Sequence, residues 1–128
     1  MITATYPIRA RRHAGWTDSF LLERENPPIP PATDPTYTPV DLTGYTARLQ
    51  VREHDDDTSP LLATLDSQAV GIVIDPSAGV ITCTLADTLT GLIPAGRWVY
   101  DLRVQPPSGD GSYLISGPFI MEGSVTTP

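Results

Sequence analysis

Four consecutive polar residues, His54-Asp55-Asp56-Asp57, bring three carboxylates and an imidazole together in one short stretch. Carboxylate oxygens are the ligands that Ca²⁺ and other hard cations prefer in proteins. Consecutive residues cannot all face one ion, however, and the alternate-position spacing of a Ca²⁺-binding loop is absent. We therefore interpret the stretch as a solvated turn between two strands and predict no metal ligand.

The chain contains no pattern that is typical of an enzyme. Its two histidines, His13 and His54, both lie in predicted loops, and there is no Gly-x-Ser-x-Gly, His-Glu-x-x-His or glycine-rich phosphate-binding sequence. The single cysteine, Cys83, excludes an internal disulfide and a cysteine-based zinc site. Because Cys83 alternates with Ile81 and Leu85, we interpret it as a buried thiol. We predict no catalytic residue and no cofactor, and expect that the protein is not an enzyme.

The charge and hydropathy of the chain disfavour several classes of partner. The formal net charge is −7, and all eight basic residues are arginine. An acidic chain repels phosphate backbones, so nucleic-acid binding is not expected. No stretch approaches the roughly 18 apolar residues that a membrane span needs, and the N-terminal residues lack the apolar region of a signal peptide. We expect synthesis in a cytoplasm and no membrane partner.

Three arginines, Arg9, Arg11 and Arg12, form a small basic cluster in RARRHAG, residues 9 to 15. We predict that this segment is a loop ending in a glycine. The cluster is too small for a phosphate or lipid patch, so two interpretations remain. The arginines either contact an acidic surface, on this subunit or another, or simply lie in an exposed loop. They are candidate partner-contact residues.

A proline-rich segment, residues 26–40, contains six prolines. Proline lacks an amide donor and has a fixed φ, so this segment cannot be a central strand and is predicted to be an extended loop or arm. A connection of this length in a compact domain is usually functional or disordered. We therefore predict that it binds a partner, and its candidate contact residues are Pro28, Ile29, Pro31 and Tyr37.

The aromatic residues have two possible roles. Trp16, Tyr45, Trp98 and Tyr100 could stack on a sugar, as in carbohydrate-binding modules of β-sandwich form. Tyr45, Trp98 and Tyr100 fall on the apolar faces of their predicted strands, however, where packing in the core is the ordinary outcome. Tyr37 is the one aromatic residue that we expect to be exposed.

Much of the remaining sequence alternates apolar and polar residues with a period of two, which is typical of half-buried strands. The clearest cases are residues 45–53 and 97–105, and the second is predicted to be the central strand. Further strands are predicted at 2–8, 16–23 and 61–66 and in a hairpin through 72–85, with one helical turn at most before residue 94. A last strand, within residues 113–125, is interrupted by Gly117-Pro118, which indicates a bulge or an edge position. The predicted core residues are Tyr45, Leu49, Val51, Ile74, Ile81, Leu85, Trp98, Tyr100 and Leu102.

Seven or eight short strands separated by turns predict an all-β protein, folded as one antiparallel β-sandwich over residues 1–128. Residues 124–128 would form a C-terminal tail. Tyr45, Leu49 and Val51 should pack against Trp98, Tyr100 and Leu102 across the sandwich. Arg48 and Arg52 would then face outward, where the simplest interpretation is cross-strand pairing with carboxylates.

Five stretches of the sequence resemble small structural proteins of tailed bacteriophages. The most specific are DLTGYTARLQVR and PAGRWVYDLRV, and the others are LLATLD, GIVIDPSAGVITCTLA and the closing GPFIMEGSVTTP. The resemblance is to the immunoglobulin-like β-sandwich at the N-terminus of phage upper baseplate proteins and to related stand-alone virion proteins. It covers roughly residues 15–126. The proline-rich segment departs from the family pattern, in which a few polar residues usually join the two strands.

The resemblance implies an immunoglobulin-like sandwich that has no catalytic residues and docks on a baseplate, tail or capsid. It also implies other virion proteins as partners and a homo-oligomer, as a trimer or higher ring. We therefore expect a structural component of a tailed phage particle, made in the host cytoplasm and located in the tail or baseplate region of the virion. A head decoration or head–tail connector protein of the same fold, and a carbohydrate-binding adhesion module, are the alternatives.

Overall fold

The computed structural model describes residues 4–126. Ile2, predicted to begin the first strand, and residues 127 and 128 of the predicted C-terminal tail lie outside this range. Within it the chain is all-β, as predicted, with one helix of a single turn, but the predicted seven or eight strands are wrong, because there are eleven. Breaks at residues 6–7 and at Leu22 divide two predicted strands, and the proline-rich segment contains a strand of its own. In chain order the elements are β1 (Ala4–Thr5), β2 (Ile8–Arg11), β3 (Trp16–Leu21), β4 (Glu23–Asn26), β5 (Thr36–Pro39), β6 (Thr46–Arg52), β7 (Leu61–Asp66), β8 (Ile72–Asp75), β9 (Val80–Leu85), α1 (Asp87–Thr90), β10 (Gly96–Gln105) and β11 (Ser112–Glu122).

The largest sheet has six strands in the order β1-β11-β10-β6-β7, with β2 also paired to β11. β10 lies between β6 and β11, so its predicted central position is confirmed. The expected packing of β6 against β10 across a sandwich is wrong, because the two strands are neighbours in one sheet, with Leu49 opposite Leu102 and Val51 opposite Tyr100. Alternation correctly identified the inward face of each strand, but it could not distinguish lateral neighbours from facing ones.

This sheet is mixed rather than purely antiparallel, because β1 and β2 both run parallel to β11. The prediction that residues 9–15 form a loop is also wrong, since Ile8–Arg11 is a strand. Ile8 and Ala10 are buried while Arg9 and Arg11 are exposed, which is the period of two expected for a strand with one face in the core. Only residues 12–14 form the turn that follows.

Gly117-Pro118 does not interrupt β11, which runs without a break through both residues. Nor is β11 an edge strand, because it pairs with β10 on one side and with β1 and β2 on the other. The gap between β1 and β2 falls at Tyr6-Pro7, which lies beside Gly117-Pro118 in the register. Neither proline has an amide hydrogen to donate, so the parallel ladder is interrupted at this point. The one irregularity between β10 and β11 lies near Leu102 and Arg103 instead.

A three-stranded sheet, in the order β3-β9-β8, provides the second layer of the fold. Its β8–β9 hairpin was predicted, including Gly79 at the end of the turn, where φ is +68°. Buried residues of both sheets belong to one hydrophobic cluster, so the arrangement is sandwich-like. Of the predicted core residues, Leu49, Val51, Ile81, Leu85, Tyr100 and Leu102 are buried, and Tyr45, Ile74 and Trp98 are partly buried against the same cluster.

The remaining two strands, β4 and β5, form a hairpin of their own. The proline-rich segment is therefore not irregular throughout, because Thr36–Pro39 is a strand that pairs with Glu23–Asn26. We call residues 23–39 the arm, and residues 27–35, which connect its two strands, the tip.

Candidate partner-binding surface

The arm contributes no residue to the hydrophobic core of the described chain. Its strands pair from Glu23 opposite Pro39 to Asn26 opposite Thr36, and within residues 4–126 they pair with no other strand. All of their residues are exposed except Asn26, whose side-chain Nδ2 donates a hydrogen bond of 2.7 Å to Thr38 Oγ1. Within the described chain, both faces of the arm are thus left open to solvent.

The two ends of the arm, in contrast, are anchored in the body of the protein. The Leu22 amide donates to the Gly79 carbonyl at 2.8 Å, and the Val40 amide donates to the Leu22 carbonyl at 2.9 Å. Leu22 and Leu42 are both buried in the core. An isolated two-stranded hairpin is at best marginally stable in water. The arm is therefore positioned by its root, and its outer part is held away from the core.

The four candidate contact residues of the proline-rich segment all lie on the arm. Pro28, Ile29 and Pro31 are in the tip and Tyr37 is on β5, and all four are exposed. Ile29 is 81% exposed and Tyr37 is 59% exposed. A hydrogen bond of 2.9 Å from the Ala32 amide to the Ile29 carbonyl closes a turn in the tip. The structure thus places an apolar, proline-stiffened surface at the end of a projecting hairpin.

The basic cluster does not join this surface, because each of its arginines is engaged elsewhere in the chain. Arg9 Nη1 lies 3.6 Å from Glu122 Oε1, and Arg11 Nε donates to the Gly123 carbonyl at 3.3 Å. Arg12 is half-buried, and its Nη2 donates to the Gly91 carbonyl, at the end of α1, at 2.8 Å. Arg9 therefore contacts an acidic residue of its own subunit, which is one of the two interpretations of the cluster.

The outer face of the six-stranded sheet carries a polar groove of about 530 Å³. Arg48, Arg52 and Arg103 line it together with Asp101, and the turn at residues 54–57 forms one wall. Arg48 Nε lies 3.1 Å from Asp66 Oδ2, which is the expected pairing with a carboxylate of the neighbouring strand. Arg52 is different, because its Nη1 donates to the Ser59 carbonyl at 2.7 Å and thereby holds the turn against the sheet.

Two carboxylates of this groove, Asp56 and Asp101, have shifted pKa values for identifiable reasons. Burial raises the pKa of Asp101, and the negative charge of Asp55 adds to the effect. Hydrogen bonds from the Thr58 amide and hydroxyl lower the pKa of Asp56 and close the turn. Among residues 4–126, no three His, Cys, Asp or Glu side chains are placed so that they could hold a metal ion. Asp56 thus closes a turn, and Asp66 pairs with Arg48 of the neighbouring strand.

The aromatic residues proposed as a sugar-stacking platform are mostly occupied by packing. Trp98 Nε1 donates to the Pro94 carbonyl at 2.9 Å, the Tyr100 hydroxyl donates to the Tyr6 carbonyl, and Trp16 and Tyr45 are partly buried against the core. The expectation that Tyr37 is the one exposed aromatic residue is wrong. Tyr6 and Tyr113 are exposed too, and Tyr113 lies on β11 on the side of the polar groove.

A second groove, of about 740 Å³, lies beside the root of the arm and was not predicted. Its lining is mainly apolar, and Leu21 within it is 57% exposed. We call it the root groove; it is lined by Ala4, Phe20, Leu21, Leu22, Glu23, Arg24, Val40, Asp41, Tyr45, Leu114 and Ile115. These residues come from distant parts of the sequence, so no local pattern could have indicated the groove.

A scan against protein-family models gives no match for this chain, and a search of curated proteins gives none either. The single helix of the described residues, α1, is far too short to cross a membrane.

Proposed function

We propose that this protein is a non-enzymatic structural component of a tailed phage particle, which docks on its neighbours through the arm in the tail or baseplate region of the virion. The observation that carries the proposal is the exposure of both faces of a hairpin whose tip presents Ile29 and several prolines. Large apolar side chains at the end of a projection add nothing to the core, and such exposed apolar surface favours a protein contact. Proline restricts the unbound tip, so less entropy is lost when it docks.

The strand order supports an immunoglobulin-like sandwich, which is the fold implied by the resemblance. In that fold one sheet has the order G-F-C-C′ and the other contains B-E-D. The sheets of this protein have the orders β11-β10-β6-β7 and β3-β9-β8, which correspond strand by strand. β1 and β2 then take the place of the first strand, beside β11. The Trp98 bond to the Pro94 carbonyl resembles the tyrosine corner near the start of strand F.

With this correspondence the arm is a long insertion in the B–C connection, between β3 and β6. In antibody variable domains the B–C and F–G loops meet at one end of the sandwich and bind the antigen. Gly44, which follows the arm, lies against Pro107 in the connection between β10 and β11, so the corresponding loops are adjacent here too. The fold accounts for the position of the arm by analogy, and the side chains of the arm provide the chemistry of the contact.

The proposal is tested by replacing residues 24–38 with a short Gly-Ser turn and measuring incorporation into particles. We expect a variant that folds but is not incorporated, because the docking surface is gone. A matched control, Val73→Asp, changes an exposed apolar residue of β8 that belongs to neither the arm nor the root groove, and should be incorporated normally. Wild-type incorporation of the armless variant would refute the docking role. Electron microscopy of particles carrying a labelled chain would distinguish the tail or baseplate from the head.

A carbohydrate-binding adhesion module is the second candidate, because Tyr37 presents an exposed aromatic ring on the arm. A tyrosine is suited to stacking on a sugar, since its ring is apolar and its hydroxyl can form a hydrogen bond. Glycan-array binding that is lost in Tyr37→Ala would favour this candidate, whereas no binding to any glycan would exclude it.

A further inference from the structure

We infer that the tip of the arm of one copy inserts into the root groove of a second copy, so that the chain forms a head-to-tail homo-oligomer. This rests on the proposed function, because it names the partner that the arm contacts.

The root groove is an open apolar site between the two sheets. It lies where β1, at one edge of the six-stranded sheet, and β3, at one edge of the three-stranded sheet, leave the core uncovered. Phe20, Leu21 and Tyr45 supply apolar surface, and Leu21 is more than half exposed. Its volume of about 740 Å³ is within the range of sites that accommodate several bulky groups. The described chain offers apolar surface here that nothing covers.

The arm cannot fill the groove of its own chain. Glu23 and Arg24 belong both to the groove lining and to the first strand of the arm, so the arm begins at the groove itself. The strands then run outward for four paired residues, from Glu23 opposite Pro39 to Asn26 opposite Thr36. At about 3.4 Å per residue, the paired part keeps the tip on the order of 10 Å or more from the root. An arm tip that occupies this groove must therefore come from another molecule.

The tip has the chemistry that the groove accepts. Ile29 is 81% exposed and is flanked by prolines, so it is a stiff apolar projection suited to an apolar cleft. Arg24 also offers Asp34 an opposite charge at the contact. Arg24 lines the groove and Asp34 lies in the tip, and within residues 4–126 neither has an ion pair. The lining also contains two carboxylates, Glu23 and Asp41, and Asp41 accepts hydrogen bonds from the Thr43 amide and hydroxyl.

The tip and the groove are different surfaces, so their contact is heterologous. A heterologous contact repeats from copy to copy and closes into a ring when the rotation between neighbours allows it. This geometry agrees with the trimer or higher ring that the sequence resemblance implies.

Site-directed crosslinking tests the contact directly. Purified Ile29→Cys and Leu21→Cys variants would be mixed in equal amounts and oxidised under mild conditions, and we expect a disulfide-linked dimer that contains one of each. The native Cys83 is fully buried and does not compete. The matched control mixes Ile29→Cys with Val73→Cys, since Val73 is 71% exposed but lies outside the groove. Equal crosslinking in the two mixtures would overturn the inference.

The oligomeric state in solution is the second measurement. Sedimentation equilibrium of the wild-type chain should show concentration-dependent association, and Ile29→Asp should raise the dissociation constant by about tenfold or more, because a buried anchor is replaced by a charge. Val73→Asp should leave the constant unchanged. A wild-type chain that remains monomeric at all concentrations would overturn the inference. If the armless variant still failed to enter particles, the arm would instead bind a different virion protein, and the proposed function would stand without this inference.

Discussion

At the scale of single residues, burial decides the chemistry of Cys83 in the interior and of Asp101 in the polar groove. Cys83 lies on β9 with its thiol fully buried between the sheets. Burial raises the pKa of this thiol to about 12, with a further contribution from the charge of Asp18. Only the thiolate is nucleophilic, so Cys83 acts as a small apolar residue of the core.

We expect Cys83 to react with a disulfide reagent at pH 8 roughly a thousandfold more slowly in the folded protein than in urea. The reason is the small thiolate fraction in the buried state, together with the lack of access. The absorbance of the released aromatic thiol measures both rates. Folded and unfolded rates within a factor of ten of each other would contradict this account of the thiol.

Asp101 should make folding stability depend on pH in the opposite sense to an ordinary salt-bridged carboxylate. Burial raises its folded-state pKa above 3.8, the value expected in the unfolded chain. The folded protein therefore binds more protons between these two pKa values, and stability falls as the pH rises through that window. Asp101→Asn removes the titrating group, so its melting temperature should exceed that of the wild type at pH 7 and approach it near pH 4. An unchanged difference between the two pH values would contradict the assignment.

At the scale of secondary-structure elements, the root of the arm depends on one glycine. Gly79 ends the β8–β9 turn with φ at +68°, a conformation that other residues resist. A Cβ atom at this position would lie 2.7 Å from the Leu22 carbonyl oxygen and 3.0 Å from the Val40 carbonyl oxygen. The turn and both ends of the arm thus meet where only a glycine fits.

Gly79→Ala should lower the free energy of unfolding by about 2 to 4 kcal/mol, because the strained φ and the steric clash add. Gly109→Ala is the matched control: its φ is +96°, and a Cβ there would meet no atom within 4 Å. The control should show only the backbone term, on the order of 1 kcal/mol. Urea denaturation of the three proteins gives both differences. Equal losses would mean that the contact with the arm root contributes nothing.

At the scale of the whole molecule, the arm lies outside the hydrophobic core that joins the two sheets. None of residues 23–39 belongs to the hydrophobic cluster, whereas the flanking Leu22 and Leu42 do. The arm consequently adds surface for contact without adding to the core that holds the sheets together.

Replacing residues 24–38 with a short Gly-Ser turn should change the free energy of unfolding by less than about 1 kcal/mol. Exposed residues outside special features contribute little to stability, and shortening a connection alters the loop entropy only slightly. Urea denaturation at low protein concentration, where association does not contribute, gives the value. A loss well above 2 kcal/mol would show that the arm packs on the body.

The local alternation of apolar and polar residues was sufficient to predict the strands that have one buried face and one exposed face. The predicted strands at 45–53, 61–66 and 97–105 agree with β6, β7 and β10 to within one residue, because alternation is visible in a short window. Ile8–Arg11 was missed, since only two apolar residues alternate there with arginines. The proline content of residues 26–40 was likewise enough to predict a segment outside the central sheets.

Pairing between distant residues could not be read from the sequence. Period-two alternation says which face of a strand is buried, but Leu49 and Leu102 would look the same as lateral neighbours or as facing residues. The parallel pairing of β1 and β2 with β11, and the engagement of Arg12 by Gly91, join residues far apart in the chain. The root groove is of the same kind, because it exists only where the edges of two sheets meet beside the arm. The chain's local chemistry thus predicted an exposed arm, and the packing of its sheets created the surface that the arm fits.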